Sequence, residues 1–307
     1  MVVGAVAELD VRNAIVAIGN FDGVHRGHRA LLERMRAWAD EEDRAAAVVT
    51  FFPPAKVLFR GISYLSSREE KLELLAPFSP DAVAMIHFDR EYARTDKSAF
   101  LAELAVLQPR AVVVGEDFRF GNRRAGGLDD LQHVPERLEV FGLRQDGETA
   151  ISSSRIREHL LAGEIEAANR LLGEPYLALG EVVHGDHRGQ SIGFPTANLD
   201  LPPAKALPLG VFAVQVDTPQ GGFGGMANVG PRPSFPSGAP RLEAHLFDFN
   251  GDLYGARVTV RFLRRLRAQR RFADLAELTA QLQTDRVAAL AALAEVAPSR
   301  ATDASTR

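Results

Sequence analysis

Short apolar runs alternate with amphipathic segments along the first half of the chain. Runs of this length, bounded by turn-forming residues, are typical of buried β-strands. The predicted strands are Ile15–Gly19, Ala45–Phe51, Ala82–Phe88, Ala111–Gly115 and Leu138–Leu143.

Helical spacing of apolar residues marks the segments between and after these strands. One predicted helix buries a face formed by Leu31, Leu32, Met35 and Trp38. Another opens at Ser67, which precedes Glu70 at the spacing of a capping box. The remaining predicted helices are Lys97–Leu107, Ser154–Leu161 and Ile165–Leu172.

Strands that alternate with helices in this way predict an α/β domain, in which helices cover both faces of a parallel sheet. Ligands of such sheets bind at the carboxyl ends of the strands. The first strand ends at Gly19, so we predict that the loop after Gly19 is a binding loop.

The pattern changes near Gly173-Glu174-Pro175, where short β-like runs separated by glycine and proline begin. We therefore expect two domains, residues 1–173 and 174–307. Because crossover helices are absent from the second, it is expected to be an antiparallel β-barrel. Its predicted strands are Leu177–Val183, Val211–Val216, Gly225–Val229, Leu242–Phe249 and Arg257–Leu263.

Turn and helix signals complete the second half. Asn250-Gly251 predicts a hairpin between the last two strands, because both residues tolerate positive φ. The tail Pro298–Arg307 is expected to be frayed. One or two terminal helices are predicted from the helical spacing of Phe272, Leu275, Leu278 and Leu282.

Composition narrows the class of protein. A chain of 307 residues exceeds the usual size of one hydrophobic core, which agrees with two domains. Its formal net charge of -4 lacks the basic excess typical of nucleic-acid-binding proteins. It has no cysteine, which excludes disulfides and thiolate metal sites, and no apolar run of membrane-spanning length. We expect a cytoplasmic protein that binds neither nucleic acid nor membranes; the sequence leaves its oligomeric state open.

A loop rich in glycine and histidine joins the first strand to the first helix. Its sequence is GNFDGVHRGH, and its histidines His25 and His28 lie near one face of the helix start. Glycines let the backbone approach a ligand, and a helix N-terminus attracts anions. We interpret the loop as a polyphosphate cradle whose imidazoles stabilise charge as pyrophosphate leaves. The alternative is a surface pair of histidines beside a simple turn; the spacing excludes an HExxH metalloprotease motif.

A second cluster, ISSSRIR, opens the helix predicted near Ser154. Its hydroxyls are explained by helix capping when the cluster is taken alone. However, Arg157 stands one turn into the helix, where its guanidinium can reach a phosphate through two parallel hydrogen bonds. Combined with the first loop, the cluster indicates phosphate binding.

The glycine-rich segment His184–Asn198 carries the candidate site of the second half. Its glycines, Gly185 and Gly193 among them, can present backbone N–H groups to phosphate. Thr196 and Asn198 face the same way in an extended segment, and two neutral oxygen ligands suit a partly hydrated Mg²⁺ bound with ATP. Taken alone, the segment is better explained as a loop rich in turn formers.

A carboxylate stands among aromatic residues on the predicted strand Leu242–Phe249. Glu243 and His245 share a face with Phe247 and Phe249. Because burying a charge is costly, a carboxylate at this position suits a general base that takes a hydroxyl proton during phosphoryl transfer. Taken alone, however, Glu243 is better explained as an exposed glutamate on an edge strand.

The motifs of the first half resemble the nucleotidyltransferase domain of prokaryotic bifunctional FAD synthetases. The matching segments are GNFDGVHRGH, VVVGEDFRFG at residues 112–121, and ISSSRIR with Ser154 in place of a threonine. The resemblance implies a Rossmann-like domain that transfers an adenylyl group from ATP to FMN, with Mg²⁺ and release of pyrophosphate. It also implies a set of nucleotide or flavin ligands: Gly19, Asn20, Phe21, Gly23, His25, His28, Asp117, Phe118, Ser153, Ser154 and Arg157.

The motifs of the second half resemble the riboflavin kinase module of the same family. They run from about Tyr176 to Asp285 and read GFPTANL, LPLGVFAV, NVGPRPSF, LEAHLFDF and DLYG. The resemblance implies that Thr196 and Asn198 hold Mg²⁺–ATP, and that Glu243 is the base on the ribityl hydroxyl. The expected enzyme phosphorylates riboflavin to FMN and then adenylylates FMN to FAD.

Several positions depart from the family pattern. The segment Phe51–Ala55 reads FFPPA where the family carries Phe-acid-Pro-His-Pro, a change expected to affect the adenylylation half. In the kinase half, Arg188-Gly189-Gln190 departs from an RGR-like pattern, Ser234 replaces a common threonine, and Gln269 stands where a carboxylate is frequent. The alternatives are a monofunctional riboflavin kinase and a non-catalytic flavin-sensing regulator. Retention of both sets of site residues argues against the regulator.

Overall fold

The chain divides into two compact units, Met1–Ser153 and Ser154–Arg307. The structure, a computed structural model, describes residues 1–185, 193–230 and 240–296. The segment before Gly173 packs with the second unit, since the Asn169 amide donates to the Phe262 carbonyl at 2.8 Å and accepts from the Tyr176 N–H at 2.8 Å. The domain boundary expected at residue 173 stays a prediction.

A six-stranded sheet forms the frame of the first unit, in the order β1-β4-β3-β2-β5-β6. All of its pairings are parallel. Its strands are β1 (Val2–Val3), β2 (Ile15–Ile18), β3 (Ala46–Phe52), β4 (Ala82–His87), β5 (Ala111–Gly115) and β6 (Arg137–Phe141). The predicted parallel sheet is confirmed; only the two-residue β1 was not predicted, because it is too short to show a pattern.

Helices surround this sheet. They are α1 (Arg26–Glu41), α2 (Ala55–Arg60), α3 (Arg68–Leu75), α4 (Lys97–Ala105) and α5 (Leu128–Leu131). The four residues predicted to form the buried face of α1 are all buried. Strand β2 is buried along its whole length, as expected for a central strand covered on both faces. A short antiparallel pair, β7 (Gln145–Asp146) and β8 (Thr149–Ala150), follows the sheet.

Helix α3 begins with the predicted capping box. The Ser67 hydroxyl accepts the Glu70 N–H at 3.2 Å, and the Glu70 carboxylate accepts the Ser67 N–H at 2.6 Å. Both groups are buried, so water does not replace these bonds if they are lost. The box fixes the first turn of α3.

A Ser67→Ala substitution is expected to lower the free energy of unfolding of the first unit by about 1 kcal/mol, the usual cost of losing a helix N-cap. Trp38 is the protein's one tryptophan and is buried in α1, so its fluorescence in urea follows this unit alone. A lower unfolding midpoint at constant slope is the expected result. An unchanged midpoint would contradict the role of the cap.

A closed antiparallel barrel of six strands forms the centre of the second unit, in the order β10-β13-β12-β11-β14-β9. The strands are β9 (Tyr176–Val183), β10 (Ala197–Asp200), β11 (Gly210–Thr218), β12 (Gly221–Gly230), β13 (Arg241–Leu246) and β14 (Arg257–Arg267). Along β13 the even-numbered residues are buried and the odd-numbered ones partly exposed. The predicted barrel is confirmed, and Glu243 lies on its outer surface.

Three helices accompany the barrel: α6 (Ser153–Leu161), α7 (Ile165–Leu172) and α8 (Leu275–Val296). The terminal helix α8 lies against the outer face, where Ala289 and Ala292 pack with Phe194, Met226 and Phe247. A terminal helix is therefore confirmed. None of the helices in the described part of the chain is long and apolar enough to cross a membrane. The tail Pro298–Arg307 lies outside the described residues.

The predicted hairpin at Asn250-Gly251 is wrong. Strand β13 pairs with β10 and β12, whereas β14 pairs with β11 and β9. The tight hairpin lies instead between β11 and β12, where Thr218 pairs with Gly221. Tolerance of positive φ allows a turn at Asn250-Gly251, but it does not decide which strands become neighbours.

Candidate active sites

The loop between β2 and α1 has an unusual backbone. Phe21, Gly23 and Val24 have φ values of 44°, 81° and 40°, and the last is rare for a β-branched residue. Gly19 makes room for the fold of the loop, since a Cβ there would lie 3.0 Å from the Phe21 ring. The Phe21 side chain is fully buried, whereas Asn20 is exposed. The loop is thus packed on the core through Phe21 and exposes Asn20.

His25 and His28 form a stacked pair at the start of α1. Their ring centroids are 3.6 Å apart with an interplanar angle of 16°. His25 is the N-cap residue, and its Nδ1 accepts the His28 N–H at 3.4 Å. Nδ1 of His28 is buried and has no protein partner. The two predicted donors therefore lie together.

Burial keeps both imidazoles uncharged at neutral pH. It lowers the pKa of His25 to about 4. The pKa of His28 falls well below its usual value, first through burial and then through the charges of His25 and Lys71. An uncharged imidazole still offers one N–H to a phosphate oxygen, so the pair can act as hydrogen-bond donors without carrying charge.

Asp22 anchors the same loop to the segment before α3. Its carboxylate accepts the N–H groups of Leu65 at 2.8 Å and Ser66 at 3.2 Å. The Ser66 hydroxyl accepts the Gly23 N–H at 3.1 Å, and the Ser153 hydroxyl donates to the Asp22 carbonyl at 3.0 Å. Asp22 is only 3% exposed, which makes it a support of the loop and not a surface ligand.

The other predicted residues of this site are placed by different elements. Asp117 follows β5, which is the parallel neighbour of β2. The loop that contains Asp117 and the loop after Gly19 therefore leave the same edge of the sheet. The Asp117 side chain is exposed there. Ser153 joins the loop through Asp22. Ser154 and Arg157 lie on α6 within the second unit, and their phosphate contacts stay predictions.

Sequence reasoning missed the residues that hold this loop from beneath. Asp22 and Ser66 were not singled out, and neither was Lys71, whose ammonium lies under the ends of β2 and β3. The capping box at Ser67 was the available signal, because it starts a helix whose first turns face the sheet. Which of its residues points to the loop could not be read from the spacing alone.

The candidate site of the second unit is a row of polar side chains across three barrel strands. Glu243 on β13 is paired with Asn198 on β10 and with Asn228 on β12. Residues paired across neighbouring strands project from the same face of the sheet. The Glu243 side chain is 32% exposed, and Arg241 Nε lies 3.5 Å from one of its oxygens. The carboxylate is thus accessible beside Asn198.

Asn198 is the buried member of this row. It is only 5% exposed, and its Oδ1 is buried without a hydrogen-bond partner. An unpaired buried carbonyl oxygen is costly, and a bound cation is one group that satisfies it. Gly185 packs directly on the Asn198 amide, since a Cβ at Gly185 would overlap it. The buried Oδ1 of Asn198 therefore suits a metal ligand, whereas the same role for Thr196, which is half-buried, stays a prediction.

The segment before β10 is fixed by the neighbouring strand. His245 on β13 donates from Nδ1 to the Pro195 carbonyl at 2.7 Å, and its ring lies 5.1 Å from the ring of Phe194. Burial lowers the pKa of His245, so this donor is uncharged at neutral pH. Gly193 is exposed and has a φ of 79°. These contacts set the position of Thr196.

The departure at Gln269 has a visible consequence. Its amide donates to Oδ1 of Asn228 at 2.9 Å, which places Gln269 beside the row that contains Glu243. A carboxylate at this position would accept a hydrogen bond and carry charge, whereas the amide donates one without charge. Sequence reasoning did not single out Asn228, because its alignment with Glu243 depends on strand register. The departures at Arg188-Gly189-Gln190 and Ser234 lie outside the described residues.

Metal sites of the usual charged kind are not visible in residues 1–185, 193–230 and 240–296. Within these ranges no group of three or more histidine, cysteine, aspartate or glutamate residues is arranged to hold a metal ion.

Two family models each match one half of the chain. The family model described as FAD synthetase matches residues 8–156, and the one described as riboflavin kinase matches residues 172–293. The first match contains the residues of the first candidate site except Arg157, and the second contains the whole candidate site of the barrel.

Related proteins match both halves in this order. A protein of Escherichia coli (strain K12), named bifunctional riboflavin kinase/FMN adenylyltransferase, is 37% identical over 285 residues, which cover 90% of this chain and 91% of that protein. A protein of Bacillus subtilis (strain 168) with the same name is 34% identical over 290 residues, covering 90% and 92%. A crystal structure described as a macrolide-efflux protein from Streptococcus pneumoniae matches with a TM-score of 0.83 and 28% identity, over 94% of this chain and 98% of that one.

Proposed function

The chain belongs to the bifunctional riboflavin kinase/FMN adenylyltransferase family, and from this we propose how its two units share the work. It is an enzyme with both activities: it forms FMN from riboflavin and FAD from FMN. The observation that carries this conclusion is a relative that is 37% identical over 90% of the chain, across both candidate sites.

In the first unit, FMN and ATP give FAD and pyrophosphate. An FMN phosphate oxygen attacks the α-phosphorus of ATP, and the bond to the pyrophosphate oxygen breaks. We propose that His25 and His28 donate hydrogen bonds to the phosphate oxygens on which charge builds, an arrangement supported by their stacked, uncharged rings. Asn20 and Ser153 are proposed as further phosphate ligands, and Asp117 as a nucleotide or flavin contact. The phosphate contacts of Ser154 and Arg157 stay predictions from the sequence.

In the second unit, riboflavin and ATP give FMN and ADP. The terminal ribityl oxygen attacks the γ-phosphorus, and the bond to the ADP oxygen breaks. Glu243 is proposed to take the hydroxyl proton, which suits an accessible carboxylate beside Asn198. Gly185 and Gly193 would present backbone to the nucleotide phosphates.

A divalent metal is expected for both reactions, and we propose Mg²⁺ bound with ATP. Thr196 and Asn198 would hold it in the second unit, supported by the unpartnered Oδ1 of Asn198. When bound, the ion supplies positive charge that offsets the charge on the phosphates. The cytoplasmic location stays a prediction from the sequence.

The altered segment Phe51–Ala55 motivates the second candidate function, a riboflavin kinase with a silent first unit. The proline character of the family is retained, with Pro54 as the N-cap of α2. The acidic and histidine side chains that the family carries are absent.

A chromatographic end-point assay separates the two functions. Purified protein with Mg²⁺–ATP is fed either riboflavin or FMN. FAD from both feeds is the expected result. FMN from riboflavin, with no FAD from either feed, would leave only the kinase.

A Gly185→Ala substitution is expected to reduce FMN formation at least tenfold while sparing FAD formation from FMN. The added methyl group overlaps the Asn198 amide, so this side chain must move out of the row with Glu243. Steady-state rates at varied ATP measure the effect. Gly222→Ala on β12 is the matched control, because a Cβ there meets no atom nearer than 3.5 Å. Equal kinase rates in both variants would show that Asn198 does not need its observed position.

A further inference from the structure

Lys71 is a buried cation to which the reaction described above gives no role. It lies on α3 and is 0% exposed. Its Nζ donates to the Asn20 carbonyl at 2.7 Å, to the Phe51 carbonyl at 2.7 Å and to the Thr50 hydroxyl at 3.3 Å. All three N–H groups of the ammonium are thus used, and all three acceptors are neutral oxygens.

These acceptors lie where the hydrogen-bonded ladder between β2 and β3 ends. The register runs to Ile18 opposite Val49, and the Gly19 N–H makes a last bond to the Val49 carbonyl at 3.1 Å. Beyond that point the Thr50 hydroxyl donates to the Asn20 carbonyl at 3.2 Å. Lys71 therefore joins the end of β3 to the segment after β2, just beyond the last backbone hydrogen bond between these two strands.

The two joined segments both belong to motifs of the proposed adenylylation site. Asn20 opens the loop that carries His25 and His28, and Phe51 leads into the altered segment that ends at Ala55. The ammonium also lies over the Phe52 ring, with Nζ 5.7 Å from the ring centroid. Lys71 thus binds both segments at once, through the Asn20 and Phe51 carbonyls.

A purely structural explanation accounts poorly for a lysine here. An apolar side chain of similar length fills the same space without burying charge, which is why buried ions are weak contributors to stability. Burial lowers the pKa of Lys71 to about 8, with Asp22 opposing and Arg68 adding to this shift. Its charge also helps keep the pKa of His28 low. The residue is placed to act on the site above it.

We infer that Lys71 is a positioning residue for adenylyl transfer: its buried ammonium sets the spacing between the Asn20 loop and the Phe51 segment. It touches neither substrate and acts through the two backbone carbonyls that it binds. The inference rests on the adenylylation function proposed for the first unit.

The first test is a Lys71→Met variant, assayed for FAD formation from FMN and, separately, for FMN formation from riboflavin. Misplacement of reacting groups by about 1 Å costs roughly 100-fold in rate, so kcat for FAD formation is expected to fall by about this factor. The kinase rate should stay within about twofold, because positioning acts on one site only. The matched control is Lys97→Met, which removes a partly exposed lysine of the same unit that pairs with Asp130.

Folding of the first unit is followed by Trp38, which is buried in α1 and is the one tryptophan. A variant with native Trp38 emission and a reduced kcat supports positioning. Parent-like kcat in Lys71→Met would overturn the inference. If the parent protein forms no FAD, the proposed adenylylation itself fails, and this outcome is distinct because it is seen before any substitution.

A chemical rescue keeps the test decisive if methionine disturbs folding. The chain has no cysteine, so Lys71→Cys carries a single thiol. Alkylation in denaturant with 2-bromoethylamine displaces bromide and forms a carbon–sulfur bond, which restores an ammonium at nearly the length of lysine. Iodoacetamide forms the same bond but leaves a neutral amide.

After refolding beside the parent, recovery of FAD formation in the aminoethylated form alone is expected. Equal activity of the two alkylated forms, high or low, would overturn the inference, provided that the parent refolds to an active enzyme.

Discussion

A Glu243→Gln variant is expected to lose FMN formation from riboflavin while it forms FAD from supplied FMN at the parent rate. Glutamine keeps the size and hydrogen-bonding reach of the side chain but cannot take the ribityl proton. A positioned general base contributes about 10²–10⁴ in rate, so kcat of the kinase reaction should fall by this range. Chromatography of the two separate feeds measures both activities on the same preparation.

The matched control for this change is Glu181→Gln. Glu181 is an exposed glutamate on β9 of the same barrel, paired with Asp200 and Arg257 rather than with Asn198. Its variant should keep the kinase rate. A Glu243→Gln enzyme that phosphorylated riboflavin near the parent rate would remove Glu243 from the role of base and leave its position beside Asn198 as a structural feature.

A His28→Ala variant is expected to show the opposite pattern: no FAD from FMN, with FMN formation intact. The imidazole is uncharged, so the change removes a hydrogen-bond donor and not a cation. Loss of one donor aimed at developing charge costs about 10²–10³ in kcat. The stack with His25 is lost as well, which frees the N-cap ring of α1.

Two controls separate chemistry from folding in this case. His133→Ala removes an exposed histidine of the same unit and should leave FAD formation unchanged. Trp38 emission reports whether α1 keeps its packing, because Trp38 lies on the buried face of that helix. Loss of both activities in His28→Ala would contradict independent sites and indicate misfolding or coupling between them.

Much of the architecture was readable from local patterns. The strand Ala111–Gly115 and the helix Ile165–Leu172 have the bounds that the sequence pattern predicted. The predicted capping box at Ser67 is also formed. Each of these depends on interactions within a few residues of the chain, or on a periodicity that burial imposes on one segment at a time. The motifs around His28 and Glu243 were visible for the same reason, since their residues are close in sequence.

Tertiary structure decided what depends on distant partners. The prediction of an Asn250-Gly251 hairpin was wrong, because closure of the barrel decides which strands pair with β13 and β14, and the turn between them does not. Asn228 joined Glu243 through strand register, and Lys71 came under Asn20 and Phe51 through the packing of α3 on the sheet.

The sequence by itself therefore determined most of the long helices and strands and their order, and it predicted the reacting groups. The fold alone determined which backbone and side-chain groups hold those reacting groups in place, because that support comes from contacts between segments whose spacing along the chain carries no periodic signal.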